Sequence, residues 1–343
     1  MLTVSAIIPH AGGIEILSEC LNSLRSVEGI DLEIVVVDNG SGENSEDWGI
    51  TSFPKVQVLR YECKLGFASA CNRGVEASHG EFSFLFNNDA VAESGAIRIL
   101  AEALARDPRI GAVQPKILSY FDRSRFDYSS ACGGLIDSFG VPFARGRIFD
   151  FTEVDSGQYD EPTEIFWGAG AALMIRRSLY LEAGGLEEPF FAHMEEIDLM
   201  WRFHLMGKSV VVLPEAVVLH RGAATIKTGS FQKLYLNHRN SLAMLIRNYS
   251  LTLLLKYFPV RLAMDAIWAL FCLIRLDFVK FLAVSRAGIW IWISLPYLIT
   301  GRRRVQRLRR VNDNQIKSLM YNGSIAFQYY GRGIRRAKEL ETS

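Results

Sequence analysis

The sequence contains little that could hold a domain together covalently or around a structural metal. Its cysteines are odd in number, scattered over 343 residues, and include no CxxC pair. A disulfide framework or a structural zinc site is therefore not expected. Scattered free thiols are typical of a reducing compartment. The cysteines are Cys20, Cys63, Cys71, Cys132 and Cys272.

The chain also lacks an excess of one charge and a leader-like N-terminus. Its formal net charge is +1, and its basic residues are not spread as a general nucleic-acid surface, so no nucleic-acid partner is expected. The segment Met1–Pro9 has no basic residue before its apolar stretch, which ends at Pro9. We interpret it as a first β-strand and not as a signal peptide.

No long uninterrupted hydrophobic run is present, although the last hundred residues are rich in Leu, Ile, Phe and Trp. Charged residues interrupt Leu251–Ile299, so no window reaches the roughly 20 apolar residues of a spanning helix, and arginines cluster just after it, at 302–310. This pattern favours an interfacial anchor on anionic lipid. The alternative is a helical bundle that closes on the rest of the protein, with its arginines facing water. The expected division is a catalytic domain at 1–245 and a helical, membrane-associated region at 246–343.

Strand and helix patterns alternate through the first hundred residues, which predicts an α/β fold with a mostly parallel sheet covered by helices. Ligands of such sheets bind beyond the carboxyl ends of the strands. The polar pairs Pro9-His10, Asp38-Asn39 and Asn88-Asp89 lie at those ends. The predicted strands are Val4–Ile8, Leu32–Val37, Val56–Arg60 and Phe82–Phe86; the predicted helices are Ile14–Leu24, Phe67–Ala77 and Ser94–Ala105, the last capped by Ser94.

The middle of the chain has a weaker pattern. Residues 121–164 predict long loops and a small β element that forms a wall on the acceptor side. A regular apolar pattern resumes at Ile165–Ile175, where Gly168 and Gly170 indicate close backbone packing. A helix at Glu196–Leu205 and a strand at Ser209–Leu213 are expected to follow.

Asn87-Asn88-Asp89 is the first candidate for chemistry. A carboxylate that a strand presents into a cleft can hold Mg²⁺ or Mn²⁺, and the metal then bridges a diphosphate. Taken alone, however, such a turn more often caps the next helix.

A second acidic group lies at the start of the helix near residue 196. Crowded like charges raise the pKa of at least one carboxyl, as a general base requires, so Glu195, Glu196 and Asp198 are candidates. Acidic residues also favour a helix N-terminus, and Asp198 with Arg202 forms an ordinary i,i+4 pair. His220 ends the apolar run Val217–Leu219 and becomes a functional candidate only in the company of Asp89 and Glu196.

The order and spacing of these motifs resemble family 2 glycosyltransferases, in particular the rhamnosyltransferase-like and galactofuranosyltransferase-like branch. Each motif is weak alone, but together they extend in order over roughly residues 4 to 240. The matching stretches are Ile7-Ile8-Pro9, Val35 to Ser41, Leu65-Gly66-Phe67-Ala68, Asn72-Arg73-Gly74, Phe86 to Ala90, Gly168 to Ala172, Gly184-Gly185-Leu186, Phe190-Phe191, Glu195 to Leu199 with Arg202, and His220.

This resemblance implies a GT-A fold, a Rossmann-like mixed sheet that binds a nucleotide-diphospho-sugar, followed by the C-terminal helical region. By resemblance, Asp89 is the metal ligand, Glu196 the catalytic base, and His220 completes the metal or diphosphate site. Glu195 and Asp198 would orient Glu196 or the acceptor. The positions matching the family's donor-binding stretches are Pro9, Asp38, Gly66, Asn72, Asn88 and Asp89.

Three departures from the family pattern affect these expectations. Asn87-Asn88-Asp89 has one acid where the family motif has two, which predicts modest metal affinity. Glu196 stands where the family usually has Asp, which lengthens the side chain by one methylene. Pro9-His10-Ala11-Gly12-Gly13 replaces the usual Pro-Thr-Tyr-Asn type, so the role of His10 stays open.

The expected function is inverting transfer of a sugar, rhamnose first, to a glycan or lipid-linked acceptor in bacterial surface polysaccharide synthesis. The donor would be dTDP- or UDP-linked, the cofactor Mg²⁺ or Mn²⁺, and the location the cytoplasm, peripheral at the inner face of the membrane. One alternative is a catalytically inactive scaffold with the same fold. Another is an NAD-dependent oxidoreductase, because Asp38 could hold a ribose, but no G-x-G-x-x-G follows the first strand.

Overall fold

The computed structural model describes residues 1–25, 27–43, 52–53, 55–222 and 229–340. Strands and helices alternate through the first half, as the sequence pattern predicts. The strands there are β1 (Leu2–His10), β2 (Ile30–Asn39), β3 (Val56–Tyr61), β4 (Phe82–Phe86), β5 (Ala90–Ala92) and β6 (Ile110–Ser119), and the helices are α1 (Ile14–Ser23), α2 (Phe67–Ala77) and α3 (Ala96–Arg106).

The second half adds mostly short strands, two helices, one long strand and, in the described residues after it, mainly helices. Its strands are β7 (Gly134–Ile136), β8 (Pro142–Ala144), β9 (Arg147–Ile148), β10 (Phe151–Thr152), β11 (Thr163–Ile165), β12 (Ala172–Arg176) and β13 (Ser209–His220). Its α-helices are α4 (Arg177–Glu182), α5 (Glu195–Leu205), α6 (Phe231–Asn248), α7 (Leu251–Ile274), α8 (Phe278–Ile293), α9 (Leu295–Leu308) and α10 (Asp313–Ser318). Short turns of 3₁₀ helix at Glu188–Phe190 and Ala337–Leu340 and of π-helix at Phe327–Gly331 complete the described chain.

The main sheet is mixed, in the order β11-β13-β6-β12-β4-β1-β2-β3, with β5 beside β13. Strands β1, β2, β3 and β4 are mutually parallel, as expected. Strand β12 runs antiparallel between β4 and β6, so the prediction of a mostly parallel sheet is wrong for this part. The inserted strand brings its beginning, at Ala172, beside the end of β4 at Phe86.

The strands form where the sequence is continuously apolar. All five residues of β4 are buried, as expected of a strand covered on both faces. Helix α3 differs from its prediction, because Gly95, with a φ of +82°, occupies the N-cap position and Ser94 does not. Glycine takes this left-handed conformation without the steric cost of a Cβ atom.

The weakly patterned middle segment contains the expected small β element. Strands β7 to β10 form a separate four-stranded antiparallel sheet. Gly134 of β7 packs against the ring of Trp167, and a Cβ at Gly134 would lie 2.2 Å from that ring. The small sheet is thereby attached to the segment that leads into β12.

The C-terminal helices pack on the first part of the chain through a buried ionic network. Glu187 accepts hydrogen bonds from Arg247 of α6 (2.5 Å) and from Tyr297 of α9 (2.6 Å), and forms an ion pair with Arg304 (3.1 Å). Burial alone would raise the pKa of Glu187, but these partners lower it to about 2. A buried carboxylate with several donors fixes the position of the elements that supply them.

Helix α7 is long and apolar enough to cross a membrane by length and composition, which is weak evidence for a span. In its middle, Arg261 and Asp265 pair at 3.2 Å, and Arg261 donates hydrogen bonds to the oxygens of Phe139 and Ser241. In the alternative interpretation, a helical bundle, the late arginines face water, but Arg302 donates hydrogen bonds to two backbone oxygens at the end of α6.

Candidate active site

The ends of β1 and β4 are tied together by His10. Asn88 donates a hydrogen bond from Nδ2 to Nδ1 of His10 (3.1 Å), and a second contact reaches the oxygen of Gly12 (3.3 Å). Nε2 of His10 then faces Glu43 at 2.9 Å. His10 is fully buried, so it holds the loop after β1 against the Asn87–Asp89 turn. The donor-binding role of Asn88 stays a prediction.

The ends of β2 and the start of α2 form the neighbouring wall. Asp38 is buried and accepts a hydrogen bond from the backbone N–H of Ser41 (2.9 Å). Gly66 precedes α2 with a φ of +87°, and a Cβ there would lie 2.6 Å from the ring of Phe191. Pro9 lies in register with Val37 of β2. These positions line the carboxyl edge of the sheet, where the sequence predicts the nucleotide.

Asp89 and His220, 131 positions apart in the chain, meet at this edge. Strand β5 pairs with the end of β13, placing Ala90 opposite His220, and Oδ1 of Asp89 lies 3.1 Å from Nε2 of His220. On the other side of the ring, Nδ1 lies 3.0 Å from Oδ1 of Asp127 and 3.2 Å from Oγ of Ser129. Burial alone would lower the pKa of His220, but the hydrogen bonds with Asp127 and Asp89 raise it to about 10.

Asp89 and His220 offer a carboxylate oxygen and an imidazole nitrogen, both of which can bind a divalent cation. Oδ1 of Asp89 and Nε2 of His220 lie 3.1 Å apart, within hydrogen-bond distance, so a cation bound by both would replace the proton between them. In the described ranges no group of three or more His, Cys, Asp or Glu side chains could hold a metal alone. Coordination shared with phosphate and water is typical of Mg²⁺, so the pair fits a metal that arrives with a diphosphate.

The acidic start of α5 follows a strained segment. Phe191, His193 and Met194 all have positive φ, between +66° and +72°, a conformation that is rare for residues with a Cβ and that clusters at functional sites. The segment holds Glu196 at the first turn of α5, where the backbone N–H of Gly170 donates to its carboxyl group. No described residue donates a hydrogen bond to Oε2 of Glu196 or of Glu195.

Burial is the main cause of the raised pKa of both carboxyls. It raises the pKa of Glu196 to about 7, against the hydrogen bonds from its own N–H and from Gly170. It also raises the pKa of Glu195 well above its usual range, with added repulsion from Glu196. Glu196 is also partly exposed as a residue while Glu195 is buried. Glu196 is therefore the residue that combines partial exposure with a carboxyl pKa near neutrality, as a general base requires.

Gly170 connects the two halves of the site. It belongs to the segment before β12, and the next residue, Ala171, accepts a hydrogen bond from the backbone N–H of Asn87 (3.0 Å). A Cβ at Gly170 would lie 2.7 Å from the ring of Phe67, and one at Gly168 2.5 Å from Leu173. The close packing predicted for both glycines is confirmed.

The side chain of Asn72, a predicted site residue, makes all of its described hydrogen bonds within the fold. Oδ1 of Asn72 accepts from Tyr180 (2.5 Å) and from the N–H of Leu186 (2.9 Å), and its amide donates to the oxygen of Leu186 (2.9 Å) and to Glu188 (3.2 Å). Asn72 thus holds α2 to the segment before α5. Its donor-binding role stays a prediction.

Asp198 also makes contacts within the fold. It is fully buried, and it accepts hydrogen bonds from Asn248 (2.7 Å) and Arg202 (3.1 Å), with Arg247 at 3.6 Å. The predicted i,i+4 pair with Arg202 is confirmed. Asp198 therefore links α5 to α6, and a role in orienting Glu196 or the acceptor stays a prediction for it and for Glu195.

Two cavities lie away from Asp89, Glu196 and His220. One, of about 650 Å³, is lined by Arg125 and by residues of 151–158 and 336–339. The other, of about 350 Å³, lies between α2 and Arg304 and includes the predicted site residue Asn72 and Glu187. An open groove for a large substrate need not form an enclosed cavity, so the candidate site is defined by the side chains that meet at the ends of the strands.

Sequence reasoning missed Asp127 as the partner of His220. Asp127 lies in the weakly patterned segment 121–164, and its contact with His220 spans 93 positions. It also left open the role of His10, which only the pairing of β1 with β4 explains. No local pattern marks either contact.

Comparison with known proteins agrees with this fold and site. The sequence profile described as Glycosyl transferase family 2 matches residues 5–179. The chain therefore belongs to glycosyltransferase family 2, and it is a glycosyltransferase. This result excludes the NAD-dependent oxidoreductase as an interpretation.

The chain is similar to curated enzymes and to solved structures. It is 28% identical over 252 residues to the N-acetylglucosaminyl-diphospho-decaprenol L-rhamnosyltransferase of Mycobacterium tuberculosis (strain ATCC 25618 / H37Rv), covering 68% of this chain and 81% of that protein. A structure of GalNAc-T7 with UDP, GalNAc and Mn²⁺ matches with a TM-score of 0.56 at 16% identity, over 72% of this chain and 48% of that one.

A second structure matches over more of the chain. It is the mannosyltransferase PcManGT from Pyrobaculum calidifontis in complex with GDP-Man and Mn²⁺, with a TM-score of 0.51 at 14% identity, covering 92% of this chain and 83% of that one. The two structural matches confirm the GT-A fold expected from the sequence. The rhamnosyltransferase-like resemblance is confirmed as well.

Proposed function

We propose that this glycosyltransferase transfers a sugar with inversion from a nucleotide-diphosphate donor to a lipid-linked glycan, as a step in bacterial surface polysaccharide synthesis. The similarity to a rhamnosyltransferase with a diphospho-decaprenol acceptor favours dTDP-rhamnose as the donor. A UDP-linked sugar is the second choice, because a structural neighbour binds UDP.

Glu196 is the proposed base, and its surroundings are the main support for the proposed function. Glu196 is partly exposed as a residue, and the buried Oε2 without a described donor and the carboxyl pKa of about 7 suit it to accept a proton. The acceptor hydroxyl would lose its proton to Glu196 as its oxygen attacks the anomeric carbon. The bond from that carbon to the nucleoside diphosphate would break on the opposite face, which inverts the configuration.

Asp89 and His220 are the residues proposed to hold the divalent cation. A bound Mg²⁺ or Mn²⁺ would stabilise the negative charge that develops on the leaving nucleoside diphosphate. Asp127 would keep Nε2 of His220 directed at the same point as Asp89, since it holds Nδ1 at 3.0 Å. Hydrogen bonds behind a ligand fix its orientation in this way.

The nucleotide would lie along the ends of β1, β2 and β4. Pro9 and Asp38 are assigned to the base and ribose, and Gly66 and Asn88 to the neighbouring donor contacts. Asn72 would act indirectly, because its side chain supports the wall of the groove.

We also propose peripheral binding at the cytoplasmic face of the membrane through the region at 246–343, with the catalytic domain at 1–245. Helix α6 (Phe231–Asn248) contains this boundary and would belong to both units. Support comes from large apolar side chains exposed on α7 and α8, and from Arg303 and Arg307, exposed on α9. The exposed apolar residues of these two helices are Leu251, Leu255, Val260, Ile267, Trp268, Leu270, Phe271, Ile274, Phe278, Val279, Leu282, Ile289, Trp292 and Ile293.

The test is sugar transfer to a short-chain prenyl diphosphate N-acetylglucosamine by the full chain with Mn²⁺. Each of dTDP-rhamnose, UDP-galactose and UDP-N-acetylglucosamine serves as the donor, and nuclear magnetic resonance reads the configuration of the product. Glu196→Gln should lower kcat by at least about 100-fold while nucleotide binding persists. Wild-type transfer by Glu196→Gln would contradict the assignment of the base. Nucleotide binding without transfer from any donor would favour the inactive scaffold.

A further inference from the structure

Basic side chains from separate parts of the chain meet at one tyrosine beside the candidate active site. The guanidinium carbon of Arg147, on β9, lies 4.7 Å from the ring centroid of Tyr128. Nζ of Lys233, in the first turn of α6, lies 5.7 Å from the same centroid. His193 lies in the strained segment before α5, and burial together with the positive charge of Lys233 lowers its pKa. We call Tyr128, Arg147, Lys233 and His193 the basic cluster.

Arg147 is the buried member of the basic cluster. It is only 8% exposed, and its Nη1 donates a hydrogen bond to the oxygen of Phe149 at 3.3 Å. Within the described part of the chain, nothing accepts a hydrogen bond from its Nε atom or from Nε2 of His193. A buried donor without an acceptor costs free energy, and a ligand with acceptor oxygens would remove that cost.

The positive charges of the basic cluster repel each other. Burial lowers the pKa of Lys233, and the positive charge of Arg147 lowers it further. Burial likewise lowers the pKa of His193 to about 4, with a smaller contribution from Lys233. An anion placed among these groups would relieve the repulsion and favour their charged forms.

The basic cluster is connected through the chain to both chemical groups of the site. Tyr128 stands in the chain between Asp127 and Ser129, and both of these contact Nδ1 of His220. On the other side, His193 precedes Glu196 by three residues. Members of the cluster therefore belong to the same two segments that support the candidate cation site and the candidate base.

Helix α6 connects the basic cluster to the apolar helices. Helix α6, which carries Lys233, packs extensively on α8. The side of α8 turned to solvent presents Ile289, Trp292 and Ile293, each at least 59% exposed. A molecule with an anionic head at Lys233 could lay an apolar chain along these residues.

We propose that the basic cluster binds the diphosphate of a prenyl-diphosphate-linked acceptor and so presents the acceptor sugar to Glu196. This inference rests on the proposed function, because it specifies the acceptor of that same site. Diphosphate is the shared chemistry of donor and acceptor, and the assignment to the acceptor follows from the neighbouring apolar face of α8.

The experiment measures binding by two probes to the full-length protein. Farnesyl diphosphate, titrated calorimetrically in EDTA, reports the acceptor subsite, and the better bound of dTDP and UDP, titrated with Mn²⁺, reports the donor site. Lys233→Ala should weaken the binding of farnesyl diphosphate by about 10- to 100-fold, as expected for a lost charge-assisted hydrogen bond. Nucleotide affinity should stay within about twofold. Asp89→Ala should show the reverse pattern.

Matched controls separate charge from packing. Lys256→Ala removes another lysine near a tyrosine ring, with Nζ 5.1 Å from the centroid of Tyr257, and should leave both affinities unchanged. Lys233→Arg should retain most of the farnesyl diphosphate affinity, and farnesol, which lacks the diphosphate, should bind much more weakly. Equal melting temperatures for Lys233→Ala and the wild type would establish that the variant is folded.

The outcomes distinguish the subsite from the proposed function. Equal farnesyl diphosphate affinity in Lys233→Ala and wild type overturns the subsite, as does equal affinity for farnesol. A larger loss in Asp89→Ala than in Lys233→Ala assigns the diphosphate to the donor site and also overturns it. If farnesyl diphosphate binding depends on Lys233 but no donor yields transfer, the subsite stands and the proposed function fails.

Discussion

Nδ1 of His220 lies 3.0 Å from Oδ1 of Asp127, on the opposite side of the imidazole ring from Asp89. This contact determines which nitrogen of His220 faces Asp89, and it joins the small-sheet segment to the end of β13. The side chain that completes the candidate cation site is thereby oriented by a residue outside the recognised motifs.

The Asp127 contact predicts a specific effect on metal affinity. Asp127→Asn should weaken Mn²⁺ binding by about 10- to 100-fold, because His220 loses the carboxylate that orients it. Electron paramagnetic resonance of Mn²⁺ with saturating nucleoside diphosphate measures this affinity. Ser129→Ala, which removes only the 3.2 Å contact with the same nitrogen, should have a smaller effect. Wild-type affinity in Asp127→Asn would contradict the orienting role.

The raised pKa of Glu196 predicts how transfer depends on pH. A base must be deprotonated, so kcat should rise as pH increases through about 7 and level off above it. The profile of kcat under saturating donor and acceptor tests this expectation. A flat profile between about pH 5.5 and 8.5 would mean that another group accepts the proton.

Glu196 also predicts a stability effect that needs no activity assay. The pKa of the Glu196 carboxyl is 4.5 in the unfolded chain and about 7 in the folded protein, so the folded protein binds the proton more tightly than the unfolded chain does. This destabilises the fold increasingly as pH rises from about 4.5 to 7. Glu196→Gln should therefore be more stable than wild type by about 2 to 3 kcal/mol at about pH 8. At about pH 4 the two should be equal.

Urea unfolding at the two pH values provides the comparison. A variant that is equally stable, or less stable, at the higher pH would contradict the burial of an ionised carboxyl at this position. The test also discriminates a functional site from an ordinary surface acid, since removing an exposed carboxylate changes stability little.

The buried network around Glu187 predicts a large loss of stability. Arg247→Met leaves Glu187 and Asp198 without the guanidinium that lies 2.5 Å and 3.6 Å from their carboxylates, and should cost about 3 to 5 kcal/mol. The matched control is Arg310→Met, which breaks a 2.8 Å pair with Glu182 between half-exposed side chains and should cost about 0 to 1 kcal/mol. Urea unfolding measures both. Similar losses in the two variants would contradict a special role of the buried network.

Substitution of Gly66, at the proposed donor groove, can be compared with substitution of Gly184. Both have a φ of +87°, but a Cβ at Gly66 would lie 2.8 Å from the backbone oxygen of Phe191, whereas one at Gly184 meets nothing within 4 Å of the described structure. Alanine should cost about 1 kcal/mol at Gly184 from backbone strain. It should cost about 1 to 3 kcal/mol more at Gly66, where the ψ of +164° lies in a region that essentially only glycine adopts and where the Cβ also meets Phe191. Nucleotide affinity should fall only in Gly66→Ala. Equal costs at the two positions would contradict both of these reasons.

Much of the fold was predictable because its signals are local. Apolar runs and turn residues placed β4 (Phe82–Phe86) and α2 (Phe67–Ala77) at the bounds that the structure has. The sequence pattern did not predict that β12 enters the sheet antiparallel between β4 and β6. Strand direction depends on which partners pair in space, and a short apolar strand has the same composition in either direction.

Family resemblance and residue chemistry together selected Asp89, Glu196 and His220 before any contact was known. They could not separate Asp198 from these candidates, because a carboxylate in a helix and a carboxylate in an ion-pair network look alike in sequence. The network of Asp198 with Arg202, Arg247 and Asn248 exists only after α6 packs on α5.

By itself, the sequence determined the family, the succession of strands and helices, and the positions at which polar residues end apolar strands. Which of those residues meet depends on how the whole chain packs. That packing brought Asp127 to His220 across 93 positions, and it set Arg147 and Lys233 on the ring of Tyr128. Local patterns encode secondary structure through short-range sterics and periodicity, whereas distant side chains are brought together by the packing of the whole core.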